Sequence, residues 1–219
     1  MPRQDPRSAD TPLRRHLDGT ATSRPTALDA FREARKTFLA GDRVDMQALA
    51  KELAVDRATL YRWVGSRDQL LTEILWSLIE PTLTRSRKTH CHSGPPAAPG
   101  QSPAAAVMNE AMRAVNTNPG MQRFIDREGE LALRLLTTKA SGFEARLIEL
   151  IAEIVREETA AGRLQSSIPS EDLPYVLVRV MESYTYLGLI TGQQPDHDRS
   201  ARVVNALLPC EKTSGPDAE

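Results

Sequence analysis

The chain has only two cysteines in 219 residues, Cys91 and Cys210, too few and too widely separated to form a disulfide framework. No apolar run approaches the ~20 residues needed to span a bilayer, and the Pro- and Arg-studded N-terminus lacks the apolar segment of a signal peptide. The expectation is therefore a cytoplasmic protein without membrane attachment. Also missing are a G-x-S-x-G elbow, an H-x-H-x-D-H-like metal cluster and any Ser/His/Asp order on a scaffold that would orient it. Those absences argue against a hydrolase and leave no catalytic residue or cofactor to name. His90-Cys91-His92 invites a metal reading, but adjacent residues alternate direction and no second ligand cluster has finger or helix spacing, so no metal is expected. Large net charge is absent too, at −1 overall.

What is present is a chain of 40% hydrophobic and 26% charged residues, long enough to bury a core and sized for one small and one larger domain. Its near-neutral charge hides an asymmetry. Residues 1 to 67 carry 13 Lys/Arg against 9 Asp/Glu, whereas residues 68 to 219 carry 15 against 20. The basic part contains the most specific stretch of the chain, Val44 to Leu71, VDMQALAKELAVDRATLYRWVGSRDQLL. Asp45 stands where an N-cap should be, ahead of an apolar stripe of Leu49, Ala50 and Leu53. Asp56 caps a second helix in which Leu60 and Val64, four apart, point inward while Arg57, Thr59, Tyr61 and Arg62 point out. Gly65-Ser66 ends it, and Ser66 opens a third helix with acidic character in its first turn. Two short helices joined by a tight turn, the second presenting donors, suit insertion into a DNA major groove.

Through Ala50, Val55, Ala58, Thr59, Leu60, Tyr61, Arg67, Leu70 and Leu71, this stretch resembles the TetR-type one-component repressors. Three positions depart from the family pattern. Ala54 replaces the usual turn glycine and must avoid the left-handed region or tolerate its strain. Val44 and Asp45 replace a frequent Thr/Ser pair, and Trp63 stands where His or Tyr is common. The resemblance implies an all-α, TetR-like fold: an N-terminal three-helix, helix-turn-helix domain followed by a C-terminal helical domain for ligand binding and dimerisation. It also implies a double-stranded DNA operator, a homodimer and a small-molecule effector as partners. Arg57, Thr59 and Arg62 become base-facing candidates, since Arg reaches a guanine edge and a Thr methyl can meet thymine. Tyr61, Trp63 and Arg67 are assigned to phosphate, with core packing the competing reading of Trp63. Twofold pairing would double the contact and match a palindromic operator.

The boundaries that follow are a disordered arm over 1–24, a helix-turn-helix domain over 25–71, an effector-binding and dimerisation domain over 72–210 and a disordered tail over 211–219. In the arm, Arg14, Arg15 and Arg24 could lie along phosphates or in a minor groove, against the plainer reading of a solvated tail. Pro25 and Thr26 open the first helix, with Leu28, Phe31, Arg35 and Phe38 at helical spacing and Gly41 ending it. The fourth helix should run from Arg67 to about Thr84, with Pro81 near its end, followed by a mobile loop from Ser86 to Pro103. Helices are expected over Ala104 to Asn116, Met121 to Glu128, Glu130 to Thr138, a long segment that follows the Ser141-Gly142 break and runs to Ala161, Asp172 to about Thr191 and Asp198 to Leu208. The last two, taken from two subunits, would form an isologous four-helix bundle. In the helix from Asp172, Leu173, Leu177, Val180, Tyr184 and Leu187 share one line; Tyr175, Arg179, Glu182 and Tyr186 share another, about 140° around the axis.

The segments GELALRLLTTKASGFEARLIELIAEIVREETAAG and LVRVMESYTYLGLITG are similar to the QsdR-type branch of the TetR family, regulators associated with lactone catabolism. That similarity implies a small amphiphilic effector, such as a γ-lactone or an acyl compound. Trp76, Met108, Met112, Phe124 and Leu147 could form its apolar cavity, with Arg179, Glu182, Tyr184 and Tyr186 as polar anchors. The competing reading makes Arg179 and Glu182 a helix-surface ion pair and puts the tyrosines at the dimer seam. Two other functions remain open at this point: an architectural DNA binder with a solid C-terminal domain, and an enzyme acting on the lactone itself.

Overall fold

Thr26 starts the ordered architecture with a capping box, its hydroxyl accepting from Asp29 N–H while the Asp29 carboxylate accepts from Thr26 N–H at 2.9 Å. In the computed structural model, which describes residues 24–93, 101–193 and 196–210, this is the head of α1 (Ala27–Leu39). The arm and tail expected to be disordered lie outside the described residues, apart from Arg24. The buried stripe of α1 is Ala30, Ala34 and Phe38, every fourth residue; Leu28, expected on that stripe, is instead 53% exposed. Small residues at two of the three buried positions let α3 (Arg57–Val64) approach α1 closely.

Between them lies α2 (Met46–Glu52), capped as expected by Asp45, whose carboxylate accepts from Gln47 and Ala48 N–H at 2.9 and 2.7 Å. The turn into α3 passes through Ala54 at φ 52°, the sole non-glycine residue with positive φ among those described. The turn therefore keeps the geometry a glycine would favour and carries the steric cost of a Cβ. Ala54→Gly should raise stability by ~0.5–1 kcal/mol, because relief of ~1–2 kcal/mol of left-handed strain outweighs the added unfolded-state freedom. Urea unfolding of the two proteins would measure it.

Ser66 caps α4 (Arg67–Arg87) through a second capping box with Gln69. This helix runs through Pro81 and past the expected end near Thr84, then continues as a π-helical turn over Lys88–Ser93. The loop expected from Ser86 is thus helical for its first eight residues, and its middle, 94–100, lies outside the described residues. Bonds from α4 and the following turn explain the extension. Arg87 pairs with Glu153 and Glu157 of α7 (Phe143–Ala160), and His90 lies 3.1 Å from Glu110 of α5 (Pro103–Thr117).

α5 packs along α4, and its buried N-cap Ser102 donates to the Leu208 carbonyl at 2.7 Å, fastening the end of the chain to it. α6 (Pro119–Thr137) merges the two short helices expected there, but Glu128 at φ −132° and ψ 41° marks the break between them. Gly120 at its start lies against the end of α1, where a Cβ would collide with the Phe38 carbonyl oxygen. α7 packs against α8 (Leu173–Thr185), and α10 (His197–Leu207) covers α5 and α8. The long helix expected from Asp172 is interrupted at Tyr186 (φ −97°, ψ 9°), beyond which a short α9 (Leu187–Thr191) follows. Its buried line is Leu173, Leu177, Val178 and Met181 together with Tyr186, whereas Val180, Tyr184 and Leu187 are only partly covered. All named elements among the described residues are helices, in the all-α arrangement the sequence predicts.

Candidate nucleic-acid interface and ligand cavity

Leu60, fully buried, fixes the rotation of α3 and so turns Arg57, Tyr61 and Arg62 to the surface. Asp56 caps the helix by accepting from Thr59 N–H at 2.8 Å, and its other oxygen accepts from the Thr59 hydroxyl at 2.8 Å. These bonds hold the Asp56 carboxyl below its usual range, so the cap stays ionised at neutral pH. They also occupy the Thr59 hydroxyl, leaving its methyl as the group available to a base. The Arg57 guanidinium sits over the Tyr61 ring at 5.9 Å from the centroid. Arg62 Nη2 donates to Thr59 Oγ1 at 3.4 Å, a long bond that a better acceptor would displace. Trp63 is half-buried and packs against the core, in line with the competing reading of that residue.

Arg67 departs from its expected place. Its Nε donates to the Val44 carbonyl at 2.6 Å, and both terminal nitrogens donate to Glu128, at 2.8 and 2.7 Å, with the side chain 19% exposed. The guanidinium is turned into the protein, joining the start of α4 to the break in α6. Around this bidentate pair, Arg123 and Arg127 of α6 donate to the carbonyls of Ala40 and Gly41, and Arg134 pairs with Asp68 at 2.8 Å. The helix-turn-helix is thus joined to the C-terminal helices through α6 as well as through α4. The one-sided placement of Arg123, Arg127 and Arg134 was a visible signal, but their partners lie 60 or more residues away in sequence.

Behind α4 lies a cavity of about 350 Å³, at the small end of the ~300–1,000 Å³ range of ligand sites. Its wall is mostly apolar, with Leu75, Leu78 and Ile79 from α4, Met121 and Leu136 from α6, and Phe143 and Leu147 from α7. Polar groups enter from Arg35, Ser77, Arg85, Asn118 and Glu182. Of the residues expected to form a cavity, Leu147, Glu182 and Tyr186 line it. Trp76 does not; it packs edge-on against Phe143 at 5.9 Å and carries the Arg146 guanidinium 4.2 Å from its ring centroid. Met108 and Met112 are buried in the core between α5 and its neighbours, and Phe124 pairs with Phe38 at 5.5 Å. Tyr184 packs partly buried against the core. Arg179 bonds Glu144 at 2.6 Å and Glu182 at 3.1 Å, and lies over Tyr175. The ion pair and the cavity placement of Glu182 therefore coexist. Arg35 and Leu39 were missed because the first helix was read as part of the DNA-binding domain alone.

Burial pushes the Glu182 carboxyl up to about 7, against the opposing pull of Arg179, and burial raises the Tyr186 phenol as well. A carboxyl whose folded pKa exceeds its unfolded value binds more protons when folded, so its contribution is full below about 4.5 and lost as pH rises through about 7. Glu182→Gln should flatten this decline and raise stability at pH 8 relative to the parent, as read from urea midpoints between pH 5 and 8. Cys91 is half-buried beside Glu158, which pairs with Arg163, and burial pushes the thiol up to about 12. It is an inert thiol at neutral pH. No group of three or more His, Cys, Asp or Glu among the described residues is placed to hold a metal ion, and no helix there is long and apolar enough to cross a membrane.

Residues 99–209 match the family described as the tetracyclin repressor-like C-terminal domain. Among solved structures, the chain is similar to the R. erythropolis transcriptional repressor QsdR from the TetR family, at 29% identity and a TM-score of 0.66, over 83% of this chain and 93% of that one. It is also similar to the TetR-family transcriptional regulator PfmR from Thermus thermophilus, at 17% identity and a TM-score of 0.44, over 86% and 97% of the two chains. No protein of curated function matches the sequence.

Proposed function

Since this chain belongs to the TetR family of transcriptional regulators, we propose that it is a homodimeric repressor that binds a palindromic operator and is released by a small amphiphile in the cavity behind α4. The observation that carries this reading is the composition of the cavity wall. It contains Arg35 and Leu39 of α1 alongside residues of α4, α6, α7 and α8. A ligand there touches elements on both sides of the junction, so its binding has a direct means of favouring one orientation of the helix-turn-helix. The apolar wall with a few polar groups suits an amphiphile such as a γ-lactone or an acyl compound. The similarity to a TetR-family repressor at 29% identity supports the repressing role.

Pairing is supported by exposed apolar groups on α8 and α9: Tyr175 at 52%, Leu189 at 44% and Ile190 at 67%. A second copy laid on them would cover a face costly to leave in water. The pair would present two α3 helices to successive major grooves, ~34–36 Å apart or a multiple of that. The protein acts on chromosomal DNA in the cytoplasm and performs no reaction on its ligand. An open cavity beside the junction weighs against an architectural binder with a solid C-terminal domain. The test is footprinting of the DNA flanking the gene, followed by fluorescence anisotropy on the protected site. A protected palindrome whose affinity for the protein falls on adding a γ-lactone or medium-chain acyl compound is expected; an affinity unmoved by every compound that binds would remove the inducer role.

A further inference from the structure

The cations of the cavity wall are unequally matched by its acids. Arg35 reaches in from α1, half-buried, and its Nε donates at 3.0 Å to the neutral hydroxyl of Ser77 on α4. Among the described residues, no carboxylate lies within ion-pair distance of it. Arg85, the other guanidinium of the wall, differs in lying close enough to Glu110 to help lower that carboxyl. The one carboxyl among the described residues of the wall, Glu182, is held by Arg179 from outside the cavity. A half-buried guanidinium satisfied only by a hydroxyl keeps donors and positive charge in reserve beside an apolar chamber.

We infer that the effector is a short aliphatic monocarboxylate whose head takes Arg35, replacing Ser77 as its partner, while its chain fills the space between α4, α6 and α7. This rests on the cavity being the effector site and names the head group that site selects. A carboxylate accepts two charge-assisted bonds from a guanidinium, whereas a lactone carbonyl or an alcohol accepts weaker ones. At about 350 Å³ the chamber has room for a short aliphatic chain. The same exchange frees α1 from α4 at the Arg35–Ser77 bond, one of the side-chain bonds joining the DNA-binding helices to the cavity.

The experiment is isothermal titration of the full-length protein with three probes of equal chain length: octanoate, octan-1-ol and γ-octalactone. Octanoate should bind tightest. Arg35→Gln should weaken octanoate by about 10- to 100-fold and octan-1-ol by less than about threefold, with Arg35→Lys in between. Circular dichroism melting confirms that each variant is folded. Equal or tighter binding of the lactone or the alcohol, no detectable octanoate binding, or an even loss across all three probes in Arg35→Gln would overturn the assignment. Leu147→Trp, which fills the chamber, separates the two levels of the claim. If it abolishes all binding while Arg35→Gln fails to discriminate, the cavity stands and the carboxylate is wrong. If octanoate binds Leu147→Trp unchanged, the cavity is not its site.

Discussion

Arg57→Ala combined with Arg62→Ala should remove specific operator binding while leaving the melting temperature and ligand affinity close to those of the parent. Both side chains are exposed on α3, neither forms an ion pair within the described residues, and Leu60 beneath them carries the packing. Their present partners are weak: a ring face for Arg57 and a 3.4 Å hydroxyl contact for Arg62. Each bidentate contact to a guanine edge contributes ~1–3 kcal/mol of discrimination, so the pair should lose between ~30-fold and more than a thousandfold against the operator. Binding to random DNA should fall much less, because phosphate contacts from the rest of the surface persist. Anisotropy titrations on operator and scrambled duplexes at one salt concentration measure both. Loss of the two affinities by the same factor would show that these arginines contact only backbone.

Glu128→Ala should produce the largest effect of any single change at the domain junction. It leaves the Arg67 guanidinium, 19% exposed, without its carboxylate at the head of α4. Losing a charged partner in a partly covered site costs ~1–3 kcal/mol, below the ~3–5 kcal/mol of a fully buried pair because some water reaches it. The second consequence is functional. The break in α6 is placed where Glu128 can grip Arg67, so without that grip a ligand touching Met121 and Leu136 on the same helix loses one route to α4. Ligand affinity should persist while its effect on operator affinity shrinks. Glu128→Gln, which keeps the shape and one of the two acceptors but turns an amide N–H2 toward the guanidinium, should fall between the parent and Glu128→Ala. Urea unfolding and paired anisotropy titrations read the two consequences separately, and a double-mutant cycle with Arg67→Ala isolates the pair.

Local chemistry made the DNA-binding half legible. Asp45, Asp56 and Ser66 were readable as caps because a short acceptor ahead of an amphipathic run has one structural use, and each forms the expected bonds. Leu60 was readable as inward for the same reason of period. Ala54 posed a choice the sequence could not make, since a Cβ disfavours the left-handed region without forbidding it; the turn keeps its left-handed residue. The cavity was far less legible. A period of 3.6 says that Met108 and Met112 point inward, but not whether they meet other side chains or open space; they meet side chains. Arg35 was legible as part of a helix and illegible as a wall of the chamber, because its partner Ser77 is 42 residues away. Arg67 fitted a phosphate role by position, yet a break in a helix 61 residues downstream brings Glu128 to it.

Linkage tests the central claim most directly, because coupling between cavity and operator must be reciprocal. Titrating whichever of octanoate and γ-octalactone binds more tightly into the free protein, and then into the protein saturated with operator, gives two dissociation constants. The ligand should bind the operator complex more weakly, by the same factor by which it weakens operator binding. Identical ligand affinity in the two states would mean that the chamber and the recognition helices do not communicate.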